Sequence, residues 1–380
     1  MERTIFDQDH RLFRSSVRDF IAAEIAPFHA QWATEGVVPR SIWKRAGELG
    51  YLCLAAPEEF GGAGADDFRY DAILGEELAR QNCTGPGFGV HGTIVAPYIL
   101  NYGTPEQLRR WVPGMVTGDT ILAVGMTEAT AGSDLASLQT TAVDDGDAFV
   151  VNGHKAFVTN GSLADLIIVS CITNPEHKQW GVSLLAIEVP TDGVTITEPL
   201  KKIGWHAQDT VELFLDDVRV PKDNIIGQSG QGFYLMGKEL DQERMLIAVN
   251  AIASARAALD WTLTYCKERE AFGKPIGSFQ NSRFRLAEME TELTVGQVFI
   301  DRCIAGWSDR SLSSAEVAMA KWWATDLQQR VIDGCLQLHG GYGYMTEYPI
   351  AQAWLDMRWT PIGGGTNEIM KDLIGRTMGL

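Results

Sequence analysis

The order in which hydrophobic patterns follow one another along the chain restricts the fold more than any other feature. Residues 1–120 carry apolar side chains at helical spacing, as in 6–26, where Pro27 ends the pattern. Residues 121–233 contain short runs of Val, Ile and Leu between turn dipeptides, and residues 234–380 return to long helical patterns. Because strands and helices do not alternate, the sequence predicts an α+β chain of three domains: helical, antiparallel β, and helical again.

Local signals predict where individual elements begin and end. Thr104-Pro105 is typical of a helix start, with Thr104 as the N-cap and proline in the first helical position. In the β block, Asn152-Gly153 and Asn160-Gly161 are typical of turns between strands. The long helical patterns of the C-terminal block cover 235–267, 283–305 and 314–338.

Length and composition agree with a chain of several globular domains. The 380 residues correspond to two or three domains, and 45% hydrophobic residues are enough for a large buried core. No apolar run approaches the roughly 18–20 residues that span a bilayer, and the N-terminus has no apolar signal region. The six cysteines are too widely spaced for a CxxC metal pair or a disulfide framework. We therefore expect a cytoplasmic protein with reduced thiols, no metal and no membrane association.

The charge balance argues against a further class of partner. The chain has 49 acidic and 32 basic residues, a formal net charge of −17. Nucleic acids and anionic membrane surfaces are bound by clustered Lys and Arg, so we expect neither as a partner. A small molecule that carries phosphate needs only a local group of donors and stays possible.

Two apparent nucleotide-binding motifs lack the context that they require. Gly87-Phe-Gly89-Val-His-Gly92 fits the dinucleotide pattern, but a helical segment precedes it where a strand is needed. Gly232-Phe-Tyr-Leu-Met-Gly237-Lys238 resembles a phosphate loop, but Glu239 stands where a hydroxyl residue would bind magnesium. The second segment is predicted to be helical.

Three groups of small, hydroxyl-bearing or basic residues are candidates for a ligand site. The first, Met126–Asp134, opens the β block and can present hydroxyls and backbone N–H groups. The second, Glu268–Ile276, follows a long helix and offers a guanidinium and an aromatic face. The third comprises the glycine-rich segments 337–343 and 363–368, where a backbone can approach a ligand closely. Taken alone, each could equally be a domain-junction turn, a helix C-cap or a loop.

Together these segments resemble the acyl-CoA dehydrogenases over essentially the whole chain. The Thr-Glu-x-x-x-Gly-Ser-Asp, Arg-x-x-Phe-Gly and Gly-Gly-Tyr-Gly motifs stand in family order. Leu240–Arg244 and Gly363–Met370 are most similar to the long-chain members. The resemblance implies an N-terminal helical domain, a middle antiparallel β-barrel and a C-terminal four-helix bundle, assembled as a homotetramer (a dimer of dimers). It also implies non-covalently bound FAD, an acyl-CoA substrate and an electron-transferring flavoprotein as electron acceptor.

The resemblance also assigns residues to the FAD site. For the flavin half it implies Met126, Thr127, Gly132, Ser133, Phe157 and Thr159. For the adenine dinucleotide half, across a subunit interface, it implies Arg269, Phe272, Phe279, Gln280, Gln337, Gly340 and Gly341, with Thr366 and Glu368 completing the site. The chain departs from the common pattern at Ala129, where proline is usual, and at Phe157, where tryptophan is frequent.

The position of the catalytic base is a further departure. Most members carry the catalytic glutamate at the position of Gly364, which has no side chain to accept a proton. Glu243 lies at helical spacing with Leu240 and Ile247, and so on an apolar stripe. A solvated glutamate in a surface ion pair is the ordinary explanation of such a residue. The resemblance favours a base instead, because long-chain and isovaleryl-type members place it at this helical position.

The resemblance implies a complete reaction. Glu243 would remove the α-proton of a fatty acyl thioester while the β-carbon delivers hydride to the flavin, and the Gly364 N–H would stabilise the thioester oxygen. The residues implied for substrate binding are Ser133, Leu240, Asp241, Arg244 and Gly365. A medium to long straight chain is expected.

Four other functional hypotheses are compatible with the sequence alone. The substrate could be a branched, isovaleryl-type acyl-CoA, or an acyl chain carried by an acyl-carrier protein. The chain could be a flavin oxidase, although it lacks the large C-terminal extension of acyl-CoA oxidases. It could also be a non-catalytic acyl-CoA-binding subunit, an alternative that Gly364 raises.

Overall fold

Helices make up the first part of the chain. The computed structural model describes the backbone of residues 1–380 and all side chains except those of residues 178 and 179. The α-helices here are α1 Gln8–Phe20, α2 His29–Glu35, α3 Arg40–Glu48, α4 Phe68–Arg80, α5 Ala96–Tyr102 and α6 Pro105–Thr117. Two π-helical segments, Ile21–Ile25 and Gly89–Val95, continue into or from these helices.

Side-chain caps fix where these helices begin. The Asp7 carboxylate accepts a hydrogen bond from the His10 N–H at the start of α1. At α6, Thr104 and Gln107 form a reciprocal capping box, with Pro105 in the first helical position. The helix start predicted at Thr104-Pro105 is therefore confirmed. The helical pattern over 6–26 is also confirmed, since α1 continues through the π-helical turn almost to Pro27.

The middle of the chain forms one mixed sheet. Its strands are β1 Leu122–Gly125, β2 Thr141–Asp144, β3 Ala148–Thr159, β4 Leu166–Ile172, β5 Val182–Glu188, β6 Val194–Ile196, β7 Thr210–Pro221 and β8 Ile225–Ile226. Their order is β6-β7-β3-β2-β4-β5-β8, and β1 pairs with β4. Most neighbours are antiparallel, but β1 and β2 both meet β4 in parallel.

Two expectations for this part need correction. The implied barrel is not closed: β6 and β8 are the sheet edges, and with three and two residues they are too short to form a closing ladder. Asn152-Gly153 is an irregularity inside β3 and not a turn between strands. A Cβ at Gly153 would lie 2.3 Å from the Thr140 hydroxyl, so the glycine serves close strand packing.

The last part of the chain is again helical. It comprises α7 Gly232–Glu268, the short strands β9 Glu270–Ala271 and β10 Lys274–Pro275, then α8 Gln280–Ser308, α9 Ser314–His339, α10 Pro349–Asp356 and α11 Asn367–Thr377. The long helices α7, α8 and α9 share one apolar core, and α11 packs against α9. Helix α4 crosses from the first domain onto α7, so the two helical parts are joined through packed side chains.

One carboxylate connects all three parts of the chain. Asp356, at the end of α10, accepts hydrogen bonds from the Thr84 hydroxyl and from the Trp205 backbone N–H. Gln352 donates to it from within α10. Burial raises the pKa of Asp356, although these donors oppose the shift.

Among the helices of the described residues, none combines the length and apolarity that a bilayer crossing requires.

Candidate active site

Glu243 and Gly364 meet although 120 positions separate them. Glu243 is half-buried in α7, and a Cβ placed on Gly364 would lie 3.5 Å from its Oε1. The same Cβ would lie 2.7 Å from Cδ1 of Ile247, one helical turn further along α7. Burial raises the pKa of Glu243, and the cations Arg244 and Lys321 only partly oppose that shift. A carboxylate of raised pKa beside a bare backbone turn is suited to accept a proton from a ligand held there.

The backbone at this turn is held from two helices. Gly364 and Gly365 both adopt left-handed conformations, with φ of +63° and +87°. Arg244 Nε donates to the Gly364 carbonyl at 3.0 Å, from α7. Lys321 Nζ donates to the Gly365 carbonyl at 2.7 Å, from α9. These two hydrogen bonds fix the peptide planes that follow Gly364 and Gly365. The Gly364 N–H belongs to the peptide plane just before them, so its orientation is restricted as well.

The polar residues next to Glu243 are engaged with one another. Asp241 pairs with Arg244 at 2.9 Å and accepts a further hydrogen bond from the Ser314 hydroxyl. Both Asp241 and Arg244 are buried, whereas Leu240 beside them is half-buried. Among the residues predicted to bind substrate, Arg244 and Asp241 therefore form hydrogen bonds within the protein.

An apolar cavity of about 120 Å³ is lined by Ile247, the residue that a Cβ on Gly364 would meet. Ile247 lies one helical turn from Glu243, and the cavity walls come from α4, α7 and the π-helical segment Gly89–Val95 on one side and from Trp205, α9 and α10 on the other. Ser254 lies on its α7 wall, 11 residues beyond Glu243, which corresponds to about 16 Å along the helix axis. The residues that form its walls near α7 are Leu74, Gly75, Val90, Ile94, Leu246, Ile247, Asn250 and Ser254.

The predicted flavin-half residues of the β domain lie beside one another. Met126 and Thr127 directly follow β1, and the Thr127 carbonyl accepts a hydrogen bond from the Ala156 N–H at 2.8 Å, in β3. This pairing places the segment against the end of β3, which carries Phe157 and Thr159. The side chain of Phe157 is 67% exposed, so its ring is available to a ligand.

The remaining predicted flavin-half residues are exposed to solvent, and one hydrogen bond connects the end of β3 to the cavity. Gly132 and Ser133 are exposed, and a Cβ at Gly132 would have nothing within 4 Å. Asn160, next to Thr159, donates from its side chain to the backbone carbonyl of Gly87, a cavity residue. The end of β3 and the cavity wall are thus in direct contact.

A buried ion pair supports the Met126–Asp134 segment, and the sequence reasoning missed it. Lys155 is fully buried, and its Nζ lies 2.7 Å from Oε1 of Glu128. Glu128 also accepts from the Thr140 N–H at 3.0 Å and from its hydroxyl. Burial opposes ionisation of Glu128, but these partners outweigh it and lower the pKa of that carboxyl. Glu128 therefore anchors this segment and adds no unpaired negative charge to it.

Most of the predicted adenine-half residues form a second group, around Arg269, far along α7 from Glu243. The guanidinium of Arg269 lies 5.4 Å from the ring centroid of Tyr342, and Phe272 meets Phe279 edge to face at 6.1 Å. Phe272 is 95% exposed. Arg269 follows Glu243 by 26 residues, or roughly 40 Å along α7, which is longer than an extended FAD molecule.

The other residues of this half flank the same region or begin α11. Gln280 opens α8, Gln337 lies in the last turn of α9, and Gly340 and Gly341 follow it, all exposed. Thr366 caps α11 by accepting from the Ile369 N–H. Glu368 is exposed in the first turn of α11. Arg269 and the residues around it thus lie far along α7 from Glu243, whereas Thr366 and Glu368 directly follow the Gly364–Gly365 turn.

The side chains present suit the two ends of FAD. Hydroxyls of Thr127, Ser133 and Thr159 match the polar edge of an isoalloxazine ring, and the half-buried Met126 offers an apolar contact. An exposed guanidinium, aromatic faces and open glycines match a pyrophosphate and an adenine.

The whole chain matches one protein family. Residues 7–119, 123–218 and 230–379 match the models for the N-terminal, middle and C-terminal domains of acyl-CoA dehydrogenase. The long-chain specific acyl-CoA dehydrogenase of Sus scrofa mitochondria is 46% identical over 98% of this chain and 87% of its own length. An acyl-CoA dehydrogenase from Geobacillus kaustophilus superposes with a TM-score of 0.98, at 45% identity and full coverage of both chains. Butyryl-CoA dehydrogenase from Megasphaera elsdenii gives 0.93 at 30% identity, again with full coverage of both.

The chain belongs to the acyl-CoA dehydrogenase family. It is an FAD-dependent flavoprotein oxidoreductase that acts on CH–CH bonds, as its family is. The family relation predicted from the sequence, its cofactor and its class of reaction are thereby confirmed.

Proposed function

We propose that this protein dehydrogenates the α,β bond of a medium- to long-chain fatty acyl-CoA to a trans-2-enoyl-CoA. Glu243 removes the α-proton, and the backbone N–H of Gly364 donates a hydrogen bond to the thioester oxygen. Bound FAD supplies the acceptor for the hydride that leaves the β-carbon. The observation that carries the proposal is the contact of Glu243 with the Gly364 turn beside an apolar cavity.

The environment of Glu243 is suited to a base that works near neutral pH. A general base is most effective when its pKa lies close to the working pH, and burial moves the pKa of Glu243 upward. The alternative of a solvated surface glutamate is disfavoured, because this carboxylate stands against an apolar wall and a glycine turn. Glu243 is only half-buried, so a ligand in the cleft can still reach it.

Gly364 is compatible with an active enzyme. The charge that develops on a thioester oxygen when the α-proton leaves is stabilised by fixed hydrogen-bond donors, and a backbone N–H serves that purpose without a side chain. Arg244 and Lys321 hold the carbonyls that follow it, so the donor is preorganised. This arrangement argues against a purely non-catalytic acyl-CoA-binding subunit.

The length of the cavity supports a medium to long acyl chain. On α7 the cavity is lined from Leu246 to Ser254, which is about 12 Å along the helix axis, and its volume of about 120 Å³ holds part of a long acyl chain. A butyryl or isovaleryl group would leave most of this wall uncovered. Buried apolar surface left without a ligand gives no binding energy, so longer straight chains should be preferred.

We further propose that a complete FAD site needs two copies of the chain. Met126, Thr127, Gly132, Ser133, Phe157 and Thr159 would hold the flavin half. A neighbouring subunit would supply the group around Arg269 and Phe272, which lies too far along α7 to reach the same FAD. A homotetramer, and an electron-transferring flavoprotein as the acceptor, follow as expectations.

Anaerobic titration of the purified holoprotein with acyl-CoAs of 4 to 16 carbons tests this proposal. We expect the wild type to lose its flavin absorbance, fastest with medium to long chains. Glu243→Gln should keep FAD but reduce flavin at least ~100-fold more slowly, because a general base contributes about 10²–10⁴-fold. Undiminished reduction in this variant would exclude Glu243 as the base.

A neighbouring carboxylate provides the matched control. Glu239 lies one helical turn before Glu243, is buried, and accepts from the Tyr102 hydroxyl at 2.7 Å. Glu239→Gln should therefore leave the rate of flavin reduction close to that of the wild type.

Two other results would change the proposal. If flavin reduction is fastest with butyryl- or isovaleryl-CoA, the chain-length proposal is wrong. Release of peroxide without an added electron acceptor would favour an oxidase.

A further inference from the structure

Lys321 is a buried ammonium group with neutral hydrogen-bond partners. It lies in α9 with no exposed surface, between the small residues Ala320 and Ala324. Its Nζ donates to the Gly365 carbonyl at 2.7 Å and to the Asn367 side-chain oxygen at 3.1 Å. Removing an ammonium group from water is strongly unfavourable unless its surroundings compensate. A methionine would fill the same volume without that cost, so the charge itself needs an explanation.

The contacts of Lys321 lead to the turn that carries Gly364. Together with Arg244 on α7, it holds two successive carbonyls from two different helices. Asn367, its second partner, also bonds with the Thr325 hydroxyl and so joins the start of α11 to α9. Loss of Lys321 would release the Gly365 carbonyl, and rotation of that peptide plane would be passed to the Gly364 N–H.

The charge of Lys321 also acts on Glu243. Burial raises the pKa of Glu243, while Arg244 on α7 and Lys321 on α9 lower it. The other titratable groups around this carboxylate are Glu239 and Asp241 on α7 and Tyr98 on α5, with Glu368 of α11 acting on Lys321. Asp241 is paired with Arg244, so part of the charge of that arginine is neutralised.

We propose that Lys321 is a positioning residue for the dehydrogenation. It fixes the backbone that presents the Gly364 N–H, and its buried positive charge keeps Glu243 ionised while the acyl-CoA is bound. This inference rests on the proposed function, because it assigns Lys321 a role through Glu243 and Gly364.

Neutral and charged replacements separate this role from packing. Lys321→Met keeps the length of the side chain and removes the charge, Lys321→Arg keeps the charge, and Lys371→Met removes an exposed lysine that lies over the Trp322 ring. For Lys321→Met we expect retained FAD, a fall in kcat of roughly 10–100-fold and a smaller change in KM, since lost oxyanion donors cost about 10²–10³-fold. The acid limb of the kcat–pH profile should move to higher pH. Lys321→Arg and Lys371→Met should leave that limb in place.

A second measurement does not depend on activity. Denaturant unfolding of the holoprotein is compared between wild type, Lys321→Met, Glu243→Gln and the double variant, from pH 6 to 9. Coupling between the two sites should appear only while Glu243 is ionised and Lys321 is protonated. It should therefore vanish at low pH and weaken as the pH rises past about 8, the value to which burial lowers the pKa of Lys321. An unmoved acid limb together with no coupling would overturn the inference. If Lys321→Met does not fold, Lys321→Gln, a neutral donor, takes its place in both measurements.

The two proposals can fail separately. Coupling between Lys321 and Glu243, with full activity in Glu243→Gln, would contradict the proposed base and leave the charge pair in place. An inactive Glu243→Gln with no coupling and an unmoved acid limb in Lys321→Met would contradict only the role of Lys321.

Discussion

Transfer of the catalytic carboxylate from α7 to the glycine turn tests the geometry of this site most directly. Positions 243 and 364 are in contact, so the double variant Glu243→Ala with Gly364→Glu places a carboxyl group close to the original one but attached to the glycine turn. Alanine is chosen at position 243 because glycine inside a helix would itself cost about 1 kcal/mol. The single variant Glu243→Ala is the reference and should lose about 10²–10⁴-fold in kcat.

The structure gives the expected size of the recovery. A glutamate at 364 must adopt φ of +63°, which costs a non-glycine residue roughly 1–2 kcal/mol. Its Cβ would also stand 2.7 Å from Cδ1 of Ile247, whereas its contacts with Glu243 disappear with that side chain. If the strain is felt at the transition state, it lowers the rate by about 5–30-fold. We therefore expect the double variant to be about 5–30-fold slower than the wild type and at least ~3-fold faster than Glu243→Ala.

Replacement of Ile247 by valine isolates the steric part of this cost. Valine lacks the Cδ1 atom that overlaps the new side chain, so the triple variant should be a few-fold faster than the double variant. Single-turnover flavin reduction with a 12-carbon acyl-CoA, measured by stopped flow, reports each rate. Folded, FAD-loaded double and triple variants no faster than Glu243→Ala would refute the arrangement of Glu243, Gly364 and substrate proposed above.

Three further outcomes are expected. Gly75→Ala places a Cβ 2.4 Å from Oδ1 of Asn250 on the cavity wall, so kcat/KM for the longest chains should fall about 10-fold and that for short chains should persist. Gly237→Ala, in open space on α7, is its control and should leave the chain-length profile unchanged. Asp356→Asn turns one hydrogen-bond acceptor at the three-domain junction into a donor and should destabilise the protein by about 1–3 kcal/mol, measured by denaturant unfolding. Glu243→Gln should be more stable than the wild type above pH 7, because a raised pKa means that ionisation of this buried carboxyl opposes folding. That gain should disappear as the pH falls below the ordinary glutamate pKa, and a Glu243→Gln variant that is less stable at high pH would contradict the assigned burial cost.

Much of the secondary structure could be read from local patterns. Caps and helix breakers act within three or four residues, so Thr104 and Pro27 marked real boundaries. Asn152-Gly153 shows the limit of such signals. Its glycine is required by the approach of Thr140, which lies just before β2, and a dipeptide pattern does not distinguish that from a turn.

The supporting residues of the site were harder to predict than the site itself. Lys321 occupies a helical position among small apolar residues, and a cation on such a face is a signal that could have been used. Glu128 lay inside a segment singled out for ligand binding, yet its partner Lys155 lies in a different strand. Pairing of this kind depends on sheet register, which the local sequence does not fix.

The sequence by itself determined the order of helical and β domains, the family, and the placement of Glu243 on an apolar helical stripe. These depend on periodicities of two or 3.6 residues and on short motifs, which act locally. The tertiary structure decided that the sheet stays open, that Glu243 meets Gly364, and that Lys321 is buried beneath them. These outcomes depend on long-range packing, where burial sets the cost of each charge and the distance to each partner.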